Sequence, residues 1–105
     1  MGKIYFKVHE TREGSILAAA DESALNKKYE GDGRVLDLQK YASFYKGEIA
    51  DKEKILLAFE GCQSANLAGE SSVAMAIEKG LASKQDIMDI GGCPHLQLFC
   101  INDKK

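Results

Sequence analysis

The fold class follows first from residues 3–9, which read KIYFKVH. In an extended chain Ile4, Phe6 and Val8 lie on one face, and mostly charged or polar side chains lie on the other. A period of two is typical of a half-buried β-strand. The stretch therefore predicts a strand over Lys3–His9 with one face toward a core.

The rest of the chain alternates between strand and helix patterns. Periodicity, capping residues and glycines predict a strand over Ser15–Ala20 after a loop at Glu10–Gly14, a helix over Glu22–Tyr29 capped by Asp21, a turn over Glu30–Gly33, a strand over Arg34–Leu38, a helix from Asp51 to Gly61, a helix from Ser64 through Gly69 to Gly80, a short helix from Ser83 to Asp89, and a strand over Leu96–Ile101.

These elements predict a single α+β domain over residues 1–105. We expect a small mixed or antiparallel sheet that includes Lys3–His9, Arg34–Leu38 and Leu96–Ile101, with helices mainly on one face. Leu96–Ile101 is apolar on both faces, which predicts a position inside the sheet rather than at its edge.

Composition sets bounds on the class of protein. The chain has 105 residues, of which 45% are hydrophobic and 29% charged, as in an ordinary globular domain. No run of apolar residues is long enough to span a membrane, and the N-terminus does not resemble a signal peptide, so we expect a cytoplasmic protein. The net charge of −2 makes nonspecific nucleic-acid binding unfavourable, although Lys27, Lys28 and Arg34 could form a local basic patch.

The three cysteines predict reduced thiols rather than a disulfide framework. Cys62, Cys93 and Cys100 are odd in number and form no CxxC pair. Two scattered histidines do not complete the ligand set of a zinc site, so we expect no metal and no cofactor.

The first candidate site is the stretch Gly91-Gly92-Cys93-Pro94-His95-Leu96-Gln97. Gly91 and Gly92 could present free N–H groups to an anion, and strand alternation places His95 and Gln97 on one face. An anionic ligand, such as a carboxylate or phosphate, could bind there. The alternative is a tight turn followed by a structural histidine.

The second candidate site contains Asn66 and Glu70. On one continuous helix these side chains, four residues apart, would share a face. A buried Glu70 near His95 could orient the imidazole, and we expect Glu70 or Asn66 to contact the loop Gly91–His95. In that case Glu70→Ala would destabilise the fold by about 1–3 kcal/mol. The alternative places Glu70 in the first turn of a helix that begins after Gly69.

Aromatic residues cluster in the first half of the chain. Tyr5, Tyr41, Phe44 and Tyr45 could form a platform on which nucleic-acid bases stack. The segment Tyr41–Tyr45 fits either a strand or a packed loop. Without arginine or lysine residues interleaved among these rings, a place in the core is favoured.

The two candidate motifs resemble those of a known family. The chain is similar to an uncharacterised archaeal family, domain of unknown function 424, in Ala65–Glu70, in Ile90–Gln97 and in the stretch Phe44–Glu48. The resemblance extends from about Lys3 to Ile101, with Lys46 and Leu96 standing where the family pattern prefers Gly and Ala. It implies an archaeal cytoplasmic protein, and it assigns no activity, cofactor or catalytic residue.

The sequence leaves several functions open. The leading hypothesis is a binding module that recognises a protein, an RNA or an anionic small molecule through Asn66, Glu70, Gly91, Gly92, His95 and Gln97. The alternative is a small enzyme that uses His95 as acid or base, with Glu70 orienting it. An enzyme based on a nucleophilic cysteine or a metal is a third possibility.

Overall fold

The computed structural model describes residues 3–99 and residue 101. The elements in these residues are β1 (Ile4–Thr11), β2 (Gly14–Asp21), β3 (Lys28–Gly31), β4 (Arg34–Asp37), α1 (Ala42–Tyr45), β5 (Glu48–Ala50), α2 (Lys52–Phe59), β6 (Ser64–Ala68), α3 (Glu70–Lys79), a 3-10 helix (Lys84–Asp86), β7 (Met88–Ile90) and β8 (Cys93–Leu98).

Six strands form one mixed sheet in the order β5-β1-β2-β6-β8-β7. Strands β2 and β6 pair in parallel, and the other neighbours in this sheet pair antiparallel. The predicted α+β fold is therefore confirmed. The predicted interior strand is also confirmed, because β8 lies between β6 and β7, although it covers Cys93–Leu98 rather than Leu96–Ile101. Cys100 lies outside the described residues.

Side-chain alternation gives the sheet two different faces. Large apolar residues such as Leu17, Leu67 and Leu96 point toward α2 and α3, and we call this the helix face. Small residues such as Ala18 and Ala68 point to the opposite side, where β3, β4 and α1 pack, and we call this the hairpin face. The two longer helices thus cover one face, as the sequence predicted.

The helix predicted over Glu22–Tyr29 is wrong. Residues 22–26 form turns, and Asn26 has a left-handed φ of 64°, which a continuing helix does not allow. The chain then enters β3, and the Tyr29 hydroxyl donates a hydrogen bond to the carbonyl oxygen of Ala24 at 3.2 Å. The pairing of β3 with β4 therefore overrides the local helix propensity of this segment.

The strand predicted over Arg34–Leu38 forms, but it does not join the main sheet. Asp32 and Gly33 both have positive φ, 51° and 76°, which is the geometry of a tight hairpin turn. This turn pairs β4 with β3 as a separate two-stranded sheet. The expected place of Arg34–Leu38 in the main sheet is therefore wrong.

The helix predicted from Ser64 begins later. Residues Ser64–Ala68 form the central strand β6, and Gly69, at φ 105°, separates this strand from α3. Asn66 and Glu70 therefore do not share a helix face. The predicted end of α3 at Gly80 is confirmed by its left-handed φ of 84°.

Two predicted helix caps are confirmed. The Asp51 side chain accepts a hydrogen bond from the Lys54 N–H at 3.0 Å at the start of α2. Ser83 and Asp86 form a capping box around a 3-10 helix, but this helix ends at Asp86 and not at Asp89, because Met88–Ile90 form β7.

None of the helices in residues 3–99 is long and apolar enough to cross a membrane.

Candidate functional site

Three of the predicted site residues meet on the hairpin face. Asn66 on β6 lies directly opposite Gln97 on β8, and His95 lies two residues before Gln97 on the same face. The Gln97 Nε2 atom donates a hydrogen bond to Asn66 Oδ1 at 3.1 Å. The predicted shared face of His95 and Gln97 is thus present, and the strand pairing adds Asn66 to it.

A cleft of about 630 Å³ lies above these side chains, and we call it the hairpin cleft. Its walls include backbone and side chains of β4 and α1, and its polar lining contains Lys28, Lys40, Tyr41, Asn66, His95 and Gln97. This volume falls within the range of small-molecule binding sites in proteins.

The His95 imidazole is nearly enclosed at one side of the hairpin cleft. Its residue is 8% exposed, and desolvation by burial lowers the pKa of the ring below its ordinary value of 6.5. The imidazole is therefore neutral near pH 7. In that form it offers one hydrogen-bond donor and one acceptor.

One pair of a lysine and an aromatic ring lines the cleft, and a second such pair lies outside its lining. Tyr41 is 55% exposed, and the Lys40 Nζ atom lies 5.4 Å from its ring centroid. Lys46 lies in the same way over the Tyr5 ring, at 5.7 Å. The premise that no lysine interleaves with the aromatic cluster is therefore wrong: Lys40 directly precedes Tyr41 in the sequence, and the fold brings Lys46 over the distant Tyr5.

The other members of the aromatic cluster are used in packing. Tyr45 is buried, and Phe44 stacks on His9 with ring centroids 4.3 Å apart. Tyr41 is accordingly the most exposed of the four rings. It lies in the turn that precedes α1, and Ala42–Tyr45 form that helix rather than the strand or packed loop expected from the sequence.

Glu70 does not join His95. It is an exposed residue in the first turn of α3, and it lines a different cleft. The Gly92 N–H donates to Asp89 Oδ1 at 2.8 Å and not to Glu70. The prediction of a buried Glu70 that takes its donors from Gly91, Gly92 or His95 is therefore wrong, although Glu70 lines the second cleft together with Gly92, Cys93 and Pro94 of that loop.

The two glycines have a structural role in the turn between β7 and β8. Gly91 and Gly92 have φ values of 59° and 93°, which favour glycine. A Cβ on Gly91 would also lie 2.7 Å from the backbone nitrogen of Glu30, so the turn packs closely against β3. The structure thus matches the alternative of a tight turn at this point.

The buried carboxylate of this region is that of Asp21. Its Oδ2 atom accepts from the Ser71 N–H, and its Oδ1 atom accepts from the Ser72 N–H and the Ser72 hydroxyl, each at 2.8 Å. Asp21 therefore caps α3 rather than the helix that was predicted to follow it. The sequence contains one indication that a distant residue caps α3. Gly69 stands at the N-cap position and has no side chain that could accept from these N–H groups.

Asp21 lies at a second cleft of about 400 Å³, which we call the cap cleft. Its lining includes Tyr29, Glu70, Ser71, Gly92 and Cys93. Burial raises the pKa of the Cys93 thiol, and a protonated thiol is a poor nucleophile near pH 7. Burial is also the largest cause of the raised pKa of Tyr29.

A metal centre is not assembled in the part of the chain that the structure describes. Among residues 3–99 and 101, no three His, Cys, Asp or Glu side chains are grouped so that they could hold a metal ion.

Comparison with known proteins gives a family and a fold. A crystal structure of an uncharacterized conserved protein from Methanopyrus kandleri is 23% identical and has a TM-score of 0.76, with 98% of this chain and 96% of that chain covered. No curated protein matches the chain significantly. The family described as "Protein of unknown function (DUF424)" matches residues 8–101. This match spans most of the chain, which therefore belongs to the DUF424 family.

Proposed function

We propose that this protein is a binding module and that its ligand is a small anionic molecule held in the hairpin cleft. The observation that carries the proposal is the hydrogen bond between Gln97 and Asn66 on the floor of that cleft. It holds two carboxamides in a fixed orientation beside the neutral imidazole of His95.

The two carboxamides keep hydrogen-bonding capacity for a ligand. After their mutual bond, Asn66 retains two N–H donors, and Gln97 retains its carbonyl oxygen and one N–H donor. Binding sites for small molecules typically have a partly apolar lining and a small number of polar groups held on strands or helices, as in this cleft.

Charge favours an anion in this cleft. The charged residues that line it are Lys28, Lys40 and Asp37. The Asp37 Oδ1 atom already accepts from the N–H groups of Gln39 and Lys40, at 3.2 and 2.9 Å. Two cations thus face the cleft against one carboxylate whose hydrogen-bonding capacity is partly used, and Lys28 also forms an exposed ion pair with Glu30 at 3.2 Å.

Binding is better supported than catalysis. The enzyme hypothesis relies on Glu70 to orient His95, and the exposed Glu70 lines the cap cleft instead. Two neutral carboxamides that donate and accept hydrogen bonds suit the recognition of a ligand.

We place this binding module in the cytoplasm as part of the proposal. The Cys93 side chain forms no disulfide with another described residue, and reduced thiols persist in reducing compartments.

The test is a thermal-shift series with inorganic phosphate, citrate and nucleoside monophosphates. We expect at least one of these anions to raise the Tm of the wild-type protein and to have little effect on the double variant Asn66→Ala/Gln97→Ala. Gln85→Ala, which removes an exposed glutamine on the 3-10 helix, is the matched control and should respond like wild type. An equal shift in the double variant, or no shift with any anion in wild type, would overturn the proposal.

A further inference from the structure

We propose that the ligand of the hairpin cleft is a nucleotide, with its base on the carboxamides and Tyr41 and its phosphate at Lys28 and Lys40. This inference rests on the proposed function and names its ligand class. It follows from three features that occur together in one cleft: an exposed ring, a pair of fixed amides and two lysines.

The backbone of Tyr41 is held by two hydrogen bonds, and its ring is exposed. Its N–H donates to the carbonyl oxygen of Asp37 at 3.2 Å, and its own carbonyl oxygen accepts from the Phe44 N–H at 3.0 Å. The ring is nevertheless 55% exposed at the rim of the cleft. An exposed ring on a fixed backbone is the usual platform for stacking a planar base.

The carboxamides can read the edge of such a base. A carboxamide presents a donor and an acceptor side by side, and this pattern matches the adjacent N6 and N7 groups of adenine. The bond from Gln97 to Asn66 sets the orientation of both amides before a ligand arrives. Adenine is therefore the base with which we probe the site.

The lysines supply the site for a phosphate. Lys40 lies over Tyr41, which brings its charge to the rim of the cleft. Lys28 pairs with Glu30 at 3.2 Å, but both side chains are at least half exposed. An exposed ion pair of this kind contributes little, so a phosphate can compete for Lys28.

Two sources share this chemistry, namely a free nucleotide and an unpaired nucleotide of an RNA. Calorimetry of the full chain with AMP, ribose 5-phosphate and adenosine tests the shared chemistry. A further titration with a short single-stranded oligoadenylate tests the source. Tighter binding of the oligonucleotide than of AMP identifies RNA, and equal or weaker binding identifies the free nucleotide.

We expect AMP to bind about tenfold or more tightly than ribose 5-phosphate, because only AMP carries a base that can stack. Tyr41→Ala and Asn66→Ala/Gln97→Ala should reduce AMP binding to the level of ribose 5-phosphate. Phe99→Ala, which removes an exposed ring at another cleft, is the matched control and should bind AMP like wild type.

The phosphate contacts are tested separately. Lys28→Ala/Lys40→Ala should weaken AMP binding about tenfold or more and leave adenosine binding unchanged, whereas the exposed Lys79→Ala should change neither. If ribose 5-phosphate binds as tightly as AMP and Tyr41→Ala has no effect on AMP binding, the proposal of a nucleotide ligand is overturned. The proposal of an anion site in the hairpin cleft would be unaffected by that result. If none of the phosphates binds and citrate and inorganic phosphate also fail, both proposals fall.

Discussion

The two faces of the six-stranded sheet are built from the same strands but serve different purposes. On the helix face, Leu17, Leu67 and Leu96 are fully or almost fully buried under α2 and α3. On the hairpin face, alanines of the same strands stand beside Asn66 and His95. Because alternation separates the two sets of side chains, the packed core and the proposed ligand site lie on opposite faces of one sheet.

The difference comes from what covers each face. Two helices fill the helix face with large apolar side chains. The short β3–β4 hairpin and the single turn of α1 cover the opposite face only in part, and the hairpin cleft is the part that they leave open. Small alanines beneath the hairpin let its Leu36 and Leu38 pack close to the sheet.

The comparison is tested most strongly at Leu67, which has no exposed surface on the helix face. We expect Leu67→Ala to lower the free energy of unfolding by about 2–5 kcal/mol, because it leaves a cavity among packed side chains. Urea denaturation measures the change. A loss of less than about 1 kcal/mol would mean that the helix face is not the main source of stability.

Asp21 and Glu70 provide a comparison of two carboxylates near one helix end. We expect Asp21→Ala to lower the free energy of unfolding by about 1–3 kcal/mol, because it leaves the buried donors of Ser71 and Ser72 without an acceptor. Chemical denaturation of both single variants gives the values. Glu70→Ala should change the free energy of unfolding by no more than about 0.5 kcal/mol, since Glu70 is exposed. This value replaces the destabilisation of about 1–3 kcal/mol that the sequence predicted for Glu70→Ala. Equal losses in the two variants would contradict this assignment of the cap.

His95 makes the hairpin face sensitive to acid. Burial lowers the pKa of His95 in the folded state, so the unfolded chain binds a proton more readily. The stability due to neutral His95 is therefore complete above the unfolded pKa of about 6.5 and is lost as the pH falls from there through the folded pKa. In thermal melts over this range, wild type should lose more stability than His95→Gln. Parallel pH profiles for the two proteins would exclude this role.

The smallest effect is expected at Gln97, an exposed residue on the floor of the hairpin cleft. Gln97→Ala should change the free energy of unfolding by no more than about 0.5 kcal/mol, because water can replace its bond to Asn66. The measurement is a denaturation curve without ligand. A loss above about 1 kcal/mol would mean that the hairpin face also carries stability, and the separation between the faces would be weaker.

Local signals in the sequence predicted local structure well. The alternation of Ile4, Phe6 and Val8 gave β1, and Asp51 and Ser83 marked the two helix starts that they cap. Each of these features depends on residues that are near one another in the chain. The shared face of His95 and Gln97 belongs to the same class, because it needs only the period of a strand.

Features that depend on distant partners were missed. The run Ser64–Ala68 is only five residues long, and so short a run fits a strand as well as the start of a helix until its neighbours in the sheet are known. Asp21 has the chemistry of a cap, but the helix that it caps lies fifty residues further along the chain. The meeting of Asn66 with Gln97 likewise depends on the pairing of β6 with β8.

The parallel pairing of β2 with β6 has a consequence for the order in which the chain can fold during synthesis. The β1–β2 hairpin is local and can form early, but the free edge of β2 gains its partner only when residues 64–68 have emerged. The Asp21 carboxylate gains its donors only a few residues later, at Ser71 and Ser72. Closing such a long loop is slow compared with forming a hairpin, and an open strand edge can pair with other chains in the meantime. A nascent chain that stops before Ser64 is therefore expected to be prone to aggregation, because the edge of β2 has no partner until Ser64–Ala68 are present.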